Sequence, residues 1–350
     1  AHVNVPNTHT LKLGDGVSTD AGGNATNGFR LSTFVGSRRI SFGNLEVNTT
    51  GGTNRQVTTA SNIGFNGNVT IEPSSEVVFG TSYVAGNIVN NGTFTSTAVL
   101  GLASYTDGTV SATTNAQTIG GSGVYRNLAA APTANLTSLT VNNTNATGVT
   151  LSVPLSVSGT LTMTSGIINT TTTNLLTLGT ATAAGILAGT PSATNMVRGP
   201  FARTIANANA NTNYLLFPVG KTTYAPIWAA PATTAVSVMK AETFDTNTGT
   251  QSAAIANMAT NRRWELPLVS GTITNINVRL GDAGVLATSI PVQAPSASGE
   301  YTSTFGSVAT AVAGVSTQSN TPVLSASYTG YLSYADSNAC VGAPTPGNTI

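Results

Sequence analysis

Gly67-Asn-Val-Thr-Ile71 and Gly86-Asn-Ile-Val-Asn90 decide the fold, because the same corner-then-strand phrase begins again after 19 residues. In each, apolar side chains alternate with Thr, Asn or a second β-branched residue, the period-two pattern of a strand with one buried face. Phe42-Gly-Asn-Leu-Glu-Val-Asn48, Leu136-Thr-Ser-Leu-Thr-Val-Asn142 and Gly159-Thr-Leu-Thr-Met163 echo the phrase. A unit of about 20 residues with short strands and Asn/Gly corners reads as one coil of a parallel β-solenoid. Corner asparagines would then align from coil to coil and ladder their side-chain amides. A series of antiparallel hairpins in a sandwich is the alternative. The repeated restart on Gly, then Asn or Thr, then an apolar residue favours the solenoid.

Working outward, the strand pattern holds along the whole chain, as in Arg39–Val47 and Asn135–Val141. Thr suits a pleated, half-buried surface. The one helical candidate is Ser252–Ala259, so the expected class is all-β. From about Met196 the texture changes. Pro200, Pro218, Pro226, Pro231 and Pro267 interrupt it, both Trp228 and Trp264 fall here, and the strands lengthen. The spacing of turn signals suits a β-sandwich. The expected organisation is a β-solenoid over 1–195, a β-sandwich with an Ig-like character over 196–338, and a linker or the start of a further module over 339–350.

Only 7% of the 350 residues are charged, and the net charge is +1. A basic surface able to neutralise phosphates is therefore absent, and nucleic acid is not an expected partner. Apolar runs are short and interrupted by Thr, so no transmembrane helix is expected. The start at Ala1, without a basic and apolar leader, suggests that any signal peptide has been removed. The charge-poor, Thr- and Asn-rich composition points to the cell surface or the extracellular space. The lone Cys340 cannot form an internal disulfide.

Gly86-Asn-Ile-Val-Asn-Asn-Gly-Thr-Phe94 and Gln117-Thr-Ile-Gly-Gly-Ser-Gly123 resemble large secreted surface proteins of Bacteroidetes-type bacteria, whose β-helical stretches read G-N-x-x-N-N-G-T-F and Q-x-I-x-G-S-G. Val197–Arg203, Phe217–Lys221 with Tyr224–Pro226, and Arg263–Glu265 are similar to the module that often follows. Cys340-Val-Gly-Ala-Pro-Thr-Pro-Gly-Asn348 is similar to the opening of their Ig-like repeats. The resemblance implies export by a type IX-like secretion route and an adhesin-like or structural role, with no catalytic residues to carry over. In that family the matching cysteine usually pairs further along, so Cys340 is expected either unpaired in a fragment or as an intermolecular thiol.

Residues able to carry chemistry are few in this sequence. His2 and His9, the only histidines, are seven apart and lack accompanying Cys or acidic residues, which does not suit a zinc site. No Gly-x-Ser-x-Gly elbow precedes a helix. Gly120-Gly-Ser-Gly123 reads as a tight turn. Glycosidases need two carboxyls roughly 5 to 10 Å apart, and only Glu72 and Glu76 are spaced to try; a solvated turn explains them better. Asp15-Gly-Val-Ser-Thr-Asp20 has the outline of a calcium loop but too few side-chain oxygens. No cofactor is expected, with structural Ca²⁺ near Asp15 and Asp20 as the alternative. Arg38-Arg39 and Arg262-Arg263 read as solvated or salt-bridged pairs, and most tyrosines as core.

The chain is therefore expected to be a non-enzymatic extracellular structural protein, a subunit of a surface fibre, sheath or layer. Self-association into a homopolymer would run through β-edges or a donated strand. The N-terminal alternation, with Val3, Val5, Leu11 and Leu13 on one face, is the candidate assembly strand, and the near-zero net charge lowers the repulsion between copies. An adhesin segment binding glycans or surfaces is the alternative.

Overall fold

Ile63–Phe65, Val69–Ile71 and Glu76–Phe79 are followed by Ser82–Val84, Ile88–Asn90 and Thr93–Ser96, so that the chain runs through three short strands and then through them again. Every strand of the second round pairs in parallel with its counterpart in the first: Tyr83 with Gly64, Val89 with Thr70 and Phe94 with Val77. Parallel pairing of strands this close in sequence requires a complete circuit of the chain between partners. The corners between them are Asn66-Gly67, Pro73-Ser74 with Ser74 at φ 66°, and Gly80-Thr81.

The computed structural model describes residues 3–4, 8–13, 30–31, 40–48, 56–59, 62–127, 135–303, 305, 310–312, 316–319 and 321–337. It divides into two compact units, 1–204 and 205–350. The protein is all-β. Among the described residues there is no α-helix, only a 3-10 turn at Ser325–Ser327, and no helix long and apolar enough to cross a membrane.

In the first unit one parallel ladder runs Val3–Asn4, Ile40–Phe42, Ile63–Phe65, Ser82–Val84, Val99–Leu102, Ser138–Asn142, Thr160–Ser165 and Ile186–Gly189. A second runs Thr10–Leu13, Asn44–Val47, Val69–Ile71, Ile88–Asn90, Gln117–Gly120, Val149–Leu151, Ile168–Asn169 and Val197–Arg198. A third takes Arg30–Leu31, Gln56–Thr59, Glu76–Phe79, Thr93–Ser96 and Val124–Asn127. Leu155–Val157, Leu176–Leu178 and Phe201–Ile205 make a further parallel ladder. The run from Arg39 to Val47, read above as one strand, is two strands on different ladders, broken at Gly43.

Apolar residues of these strands form the interior: Leu45, Val69, Ile71, Val77, Ile88, Ile119, Val141, Val149 and Leu161 are all buried. A file of rings passes through it, Phe42 to Phe65 at 5.9 Å, Phe65 to Phe79 at 5.4 Å, Phe79 to Phe94 at 5.0 Å and Phe94 to Tyr125 at 5.5 Å. Each fully buried Phe contributes about 1.5–3 kcal/mol by removal from water. On the first ladder Tyr83 sits in register between Gly64 and Gly101, and the hairpin Ser104–Thr106/Thr109–Ser111 stacks Tyr105 on it at 5.0 Å. A Cβ on Gly101 would come within 2.3 Å of the Tyr83 ring, which is why the neighbouring strand carries glycine there.

The second unit is mainly antiparallel. One sheet joins Leu215–Phe217, Ile227–Thr233, Ile273–Gly281, Ser316–Gln318 and Thr310–Val312. Another joins Ser237–Phe244, Arg263–Glu265 and Tyr331–Ser337, with Ser289–Ala294 alongside the last. Ser237–Phe244 alternates strictly between buried and half-buried residues, the pattern of a sheet with one face on a core. Trp264, Phe217, Val278 and Leu332 are fully buried, and the Trp264 indole donates to the Ala225 carbonyl at 2.8 Å.

Ser252–Ala259 is not helical. It holds the short strand Ile255–Ala256, paired antiparallel to Asp336 and Ser337, with Asn257 at φ 48°. Ile255 and Met258 join a core cluster with Ile290, Val292 and Tyr301. Burial of those two side chains outweighs the weak local helix preference of an Ala-rich stretch.

Candidate functional site

Asn44, Asn68 and Asn87 occupy the same register position at the entry to three successive strands of the second ladder. The Asn68 backbone N–H donates to Asn44 Oδ1 at 2.8 Å, the Asn87 N–H to Asn68 Oδ1 at 2.8 Å, and the Thr118 N–H to Asn87 Oδ1 at 2.8 Å. Asn44 Nδ2 reaches back to the His9 carbonyl at 3.4 Å. The carboxamides therefore join strand to strand through backbone amides rather than to one another. The preceding glycines are needed for space: a Cβ on Gly67 would lie 2.3 Å from Asn44 Oδ1, and one on Gly86 2.5 Å from the Gly67 carbonyl. The Gly-Asn phrase is thus one structural unit, the glycine lying beneath the asparagine of the round before.

Where the phrase lapses at Ala116-Gln117, Gln117 takes over from inside. Its amide donates to the Val84 and Gly86 carbonyls at 2.9 and 3.0 Å, and its Oε1 accepts from buried Asn143 at 2.8 Å. Two grooves follow this corner, the smaller one mainly polar. One, of about 430 Å³, is lined by Asn44, Asn66, Asn68, Asn87, Asn115 and Asn145 among others; the next, of about 590 Å³, by Asn143, Asn145, Ser165, Thr194 and Arg198. Their linings offer hydrogen bonds but contain no His, Cys, Asp or Glu, so neither holds a general acid, a base or a metal ligand set.

Of the candidate assembly residues, Leu11 and Leu13 lie at the first edge of the second ladder, whereas Val3 lies on the first ladder, so the N-terminal run expected as one strand is carried by two. Thr10–Leu13 pairs with Asn44–Val47, placing Leu11 opposite Leu45 and Leu13 opposite Val47. Leu45 and Val47 are 1% and 0% exposed, whereas Leu11 and Leu13 are half-buried. Among the described residues no strand pairs with the far edge of Thr10–Leu13. Lys12 and Glu46 form an exposed ion pair at 2.7 Å across the outer face, which contributes little by itself. The Val3 backbone pairs with Ile40. Val5, the Asp15 and Asp20 loop, His2, Arg38, Arg39 and Cys340 lie outside the described residues.

Glu76 binds Arg126 at 2.5 Å and accepts from Thr95 at 3.0 Å, an ion pair on the third ladder rather than half of a carboxylate pair. His9 is exposed beside Thr8. Of the two readings of Arg262-Arg263, the salt-bridged one holds: Arg262 is buried and binds Asp245 and Asp282, the latter at 3.1 Å, while Arg263 binds Glu265 at 2.9 Å. Tyr334 donates to Asp282 at 2.9 Å, and burial pushes its phenol well above the usual range. Among the described residues no group of three His, Cys, Asp or Glu side chains could hold a metal ion. The doublet alone did not give the partners or the burial of the Arg262–Asp282 pair, because Asp282 lies 20 residues further along the chain.

Comparison with protein-family models, with curated proteins and with solved structures finds no match in any of the three.

Proposed function

We propose that this chain is a non-enzymatic extracellular structural protein, a subunit of a fibre, sheath or surface layer built by self-association. In this reading residues 1–204 form a parallel β-solenoid, and the sheets of residues 205–337 form a β-sandwich. Three parallel ladders visited in the order one, two, three support the first reading. Alternating burial on antiparallel strands supports the second. Export, including a type IX-like route, is proposed on the resemblance to Bacteroidetes-type surface proteins.

The observation that carries assembly is the contrast between half-buried Leu11 and Leu13 and their fully buried register partners. A further strand laid along Thr10–Leu13 would bury both leucines and satisfy a row of backbone groups. Low charge leaves little repulsion to oppose it. The test is negative-stain imaging of purified protein with and without Leu11→Lys and Leu13→Lys together. Ordered fibres or sheets from the unaltered chain, and their loss in the double variant, are expected. Dispersed monomers at high concentration of the unaltered chain would overturn the proposal.

A further inference from the structure

Leu216, Trp228, Arg279 and Gln318 stand directly opposite one another across four adjacent strands of the second unit. Their neighbours along those strands, Phe217, Ala229, Val278, Leu280 and Thr317, are buried. The row therefore lies on the outer face, and all four of its side chains are half-buried. At about 4.8 Å between strands the row is about 14 Å long, long enough for more than one sugar ring. Tyr214 joins it: the Arg279 guanidinium lies 5.1 Å from the Tyr214 ring and 5.8 Å from the Trp228 ring.

Charge separates this face from the other cation–aromatic cluster of the unit. There Lys221 and Arg263 lie over Phe244, and each has its own carboxylate, Glu242 at 2.8 Å and Glu265 at 2.9 Å. Arg279 makes no ion pair among the described residues. Its Nε and Nη2 both donate to neutral Gln318 Oε1, the Nε at 2.8 Å. That contact fixes the plane of the guanidinium and leaves the Nη1 side of the fork, and the Gln318 amide donors, for a ligand. A positioned cation with no carboxylate partner, lying over two aromatic rings, fits a partner that is anionic and rich in hydroxyls.

We propose that this row is a binding site for an acidic glycan, one whose sugar carries a ring carboxylate. The carboxylate would take the open side of Arg279 in a charge-assisted, forked hydrogen bond. The partially positive C–H face of the sugar would lie on Trp228 and Tyr214, whose ring faces are negative. Gln318 would donate to a hydroxyl. The site does not depend on assembly, and its test uses the monomeric fraction of the full chain.

The experiment is calorimetric titration with oligogalacturonate and oligoalginate, and with the methyl ester of oligogalacturonate, which keeps the rings and removes the charge. Binding of at least one acidic oligomer is expected. Methyl esterification, Arg279→Gln or Trp228→Ala should each weaken it tenfold or more, with Trp228→Phe and Arg279→Lys retaining part of the affinity. Thermal melts of the four variants separate lost binding from lost fold, since the conservative pair keeps the packing. Absence of binding to both acidic oligomers would overturn the proposal. So would equal binding of acid and ester, or unchanged binding in folded Arg279→Gln.

Discussion

The Asn87 backbone N–H donates to Asn68 Oδ1 at 2.8 Å, so that a side chain at one corner closes the hydrogen bonding of the next round, 19 residues later. Asn44 does the same for Asn68, and Asn87 for Thr118. This is a lateral bond between strands made outside the regular ladder, and it fixes the register at which each round starts.

Asn68→Ala removes one such bond at an exposed position and should cost about 1 kcal/mol. Gly86→Ala should cost more, because the new Cβ would sit 2.5 Å from the Gly67 carbonyl, a backbone atom that cannot turn aside. Chemical denaturation of the two variants checks the ranking. A Gly86→Ala protein as stable as the parent would contradict the close approach.

The file of rings makes a second ranking. Phe94 contacts both Phe79 and Tyr125 and is 0% exposed, so Phe94→Ala should destabilise by about 3–5 kcal/mol. Phe42 is half-buried and has one ring neighbour in the file, Phe65, and Phe42→Ala should cost clearly less. Equal losses in urea unfolding would mean that the rings do not share one interior.

Arg262 and Asp282 are 7% and 6% exposed at their side chains, and the pair is further tied to Tyr334. Asp282→Ala leaves a buried guanidinium with Asp245 as its one remaining carboxylate, beside the Thr223 hydroxyl, and should cost about 3 kcal/mol or more. Removing both charges with Arg262→Met and Asp282→Ala together should cost less than the sum of the two single changes. A double-mutant cycle in thermal unfolding that came out additive would rule out the coupling.

Asp245 predicts a pH dependence. Burial opposes its ionisation, but hydrogen bonds from Thr222 and Arg262 and the Arg262 charge outweigh burial and hold the carboxyl below the usual range. A depressed folded value means that the unfolded chain binds the proton first as pH falls. The stabilisation is therefore complete above the ordinary carboxylate range and is lost on acidification through roughly pH 4 and below. Asp245→Asn should flatten part of that acid loss in melting temperature against pH. An unchanged acid limb would place the effect elsewhere.

Alternation of apolar side chains with Thr and Asn was sufficient to read the all-β class, and the restart at Gly67 and Gly86 marks two true counterparts that pair in register. The same reading misaligned other echoes. Phe42–Asn48 lies mainly on the second ladder, whereas Leu136–Asn142 ends in a strand of the first. Strands of every face carry the same alternation, so similarity between two of them does not say which face they share. The run Arg39–Val47 failed for a related reason: nothing local to Gly43 states that the chain turns a corner there instead of continuing straight.

The order of residues alone determined that the chain forms short strands with Asn- and Gly-bearing corners, because period-two burial and corner chemistry are local properties. Which strands lie side by side, that Arg262 meets Asp245 and Asp282, and that Trp228, Arg279 and Gln318 meet in one row were decided only by the tertiary structure. Those relations join residues 17 to 90 positions apart. They follow from burial and pairing energies summed over the whole fold, which no single window of sequence contains.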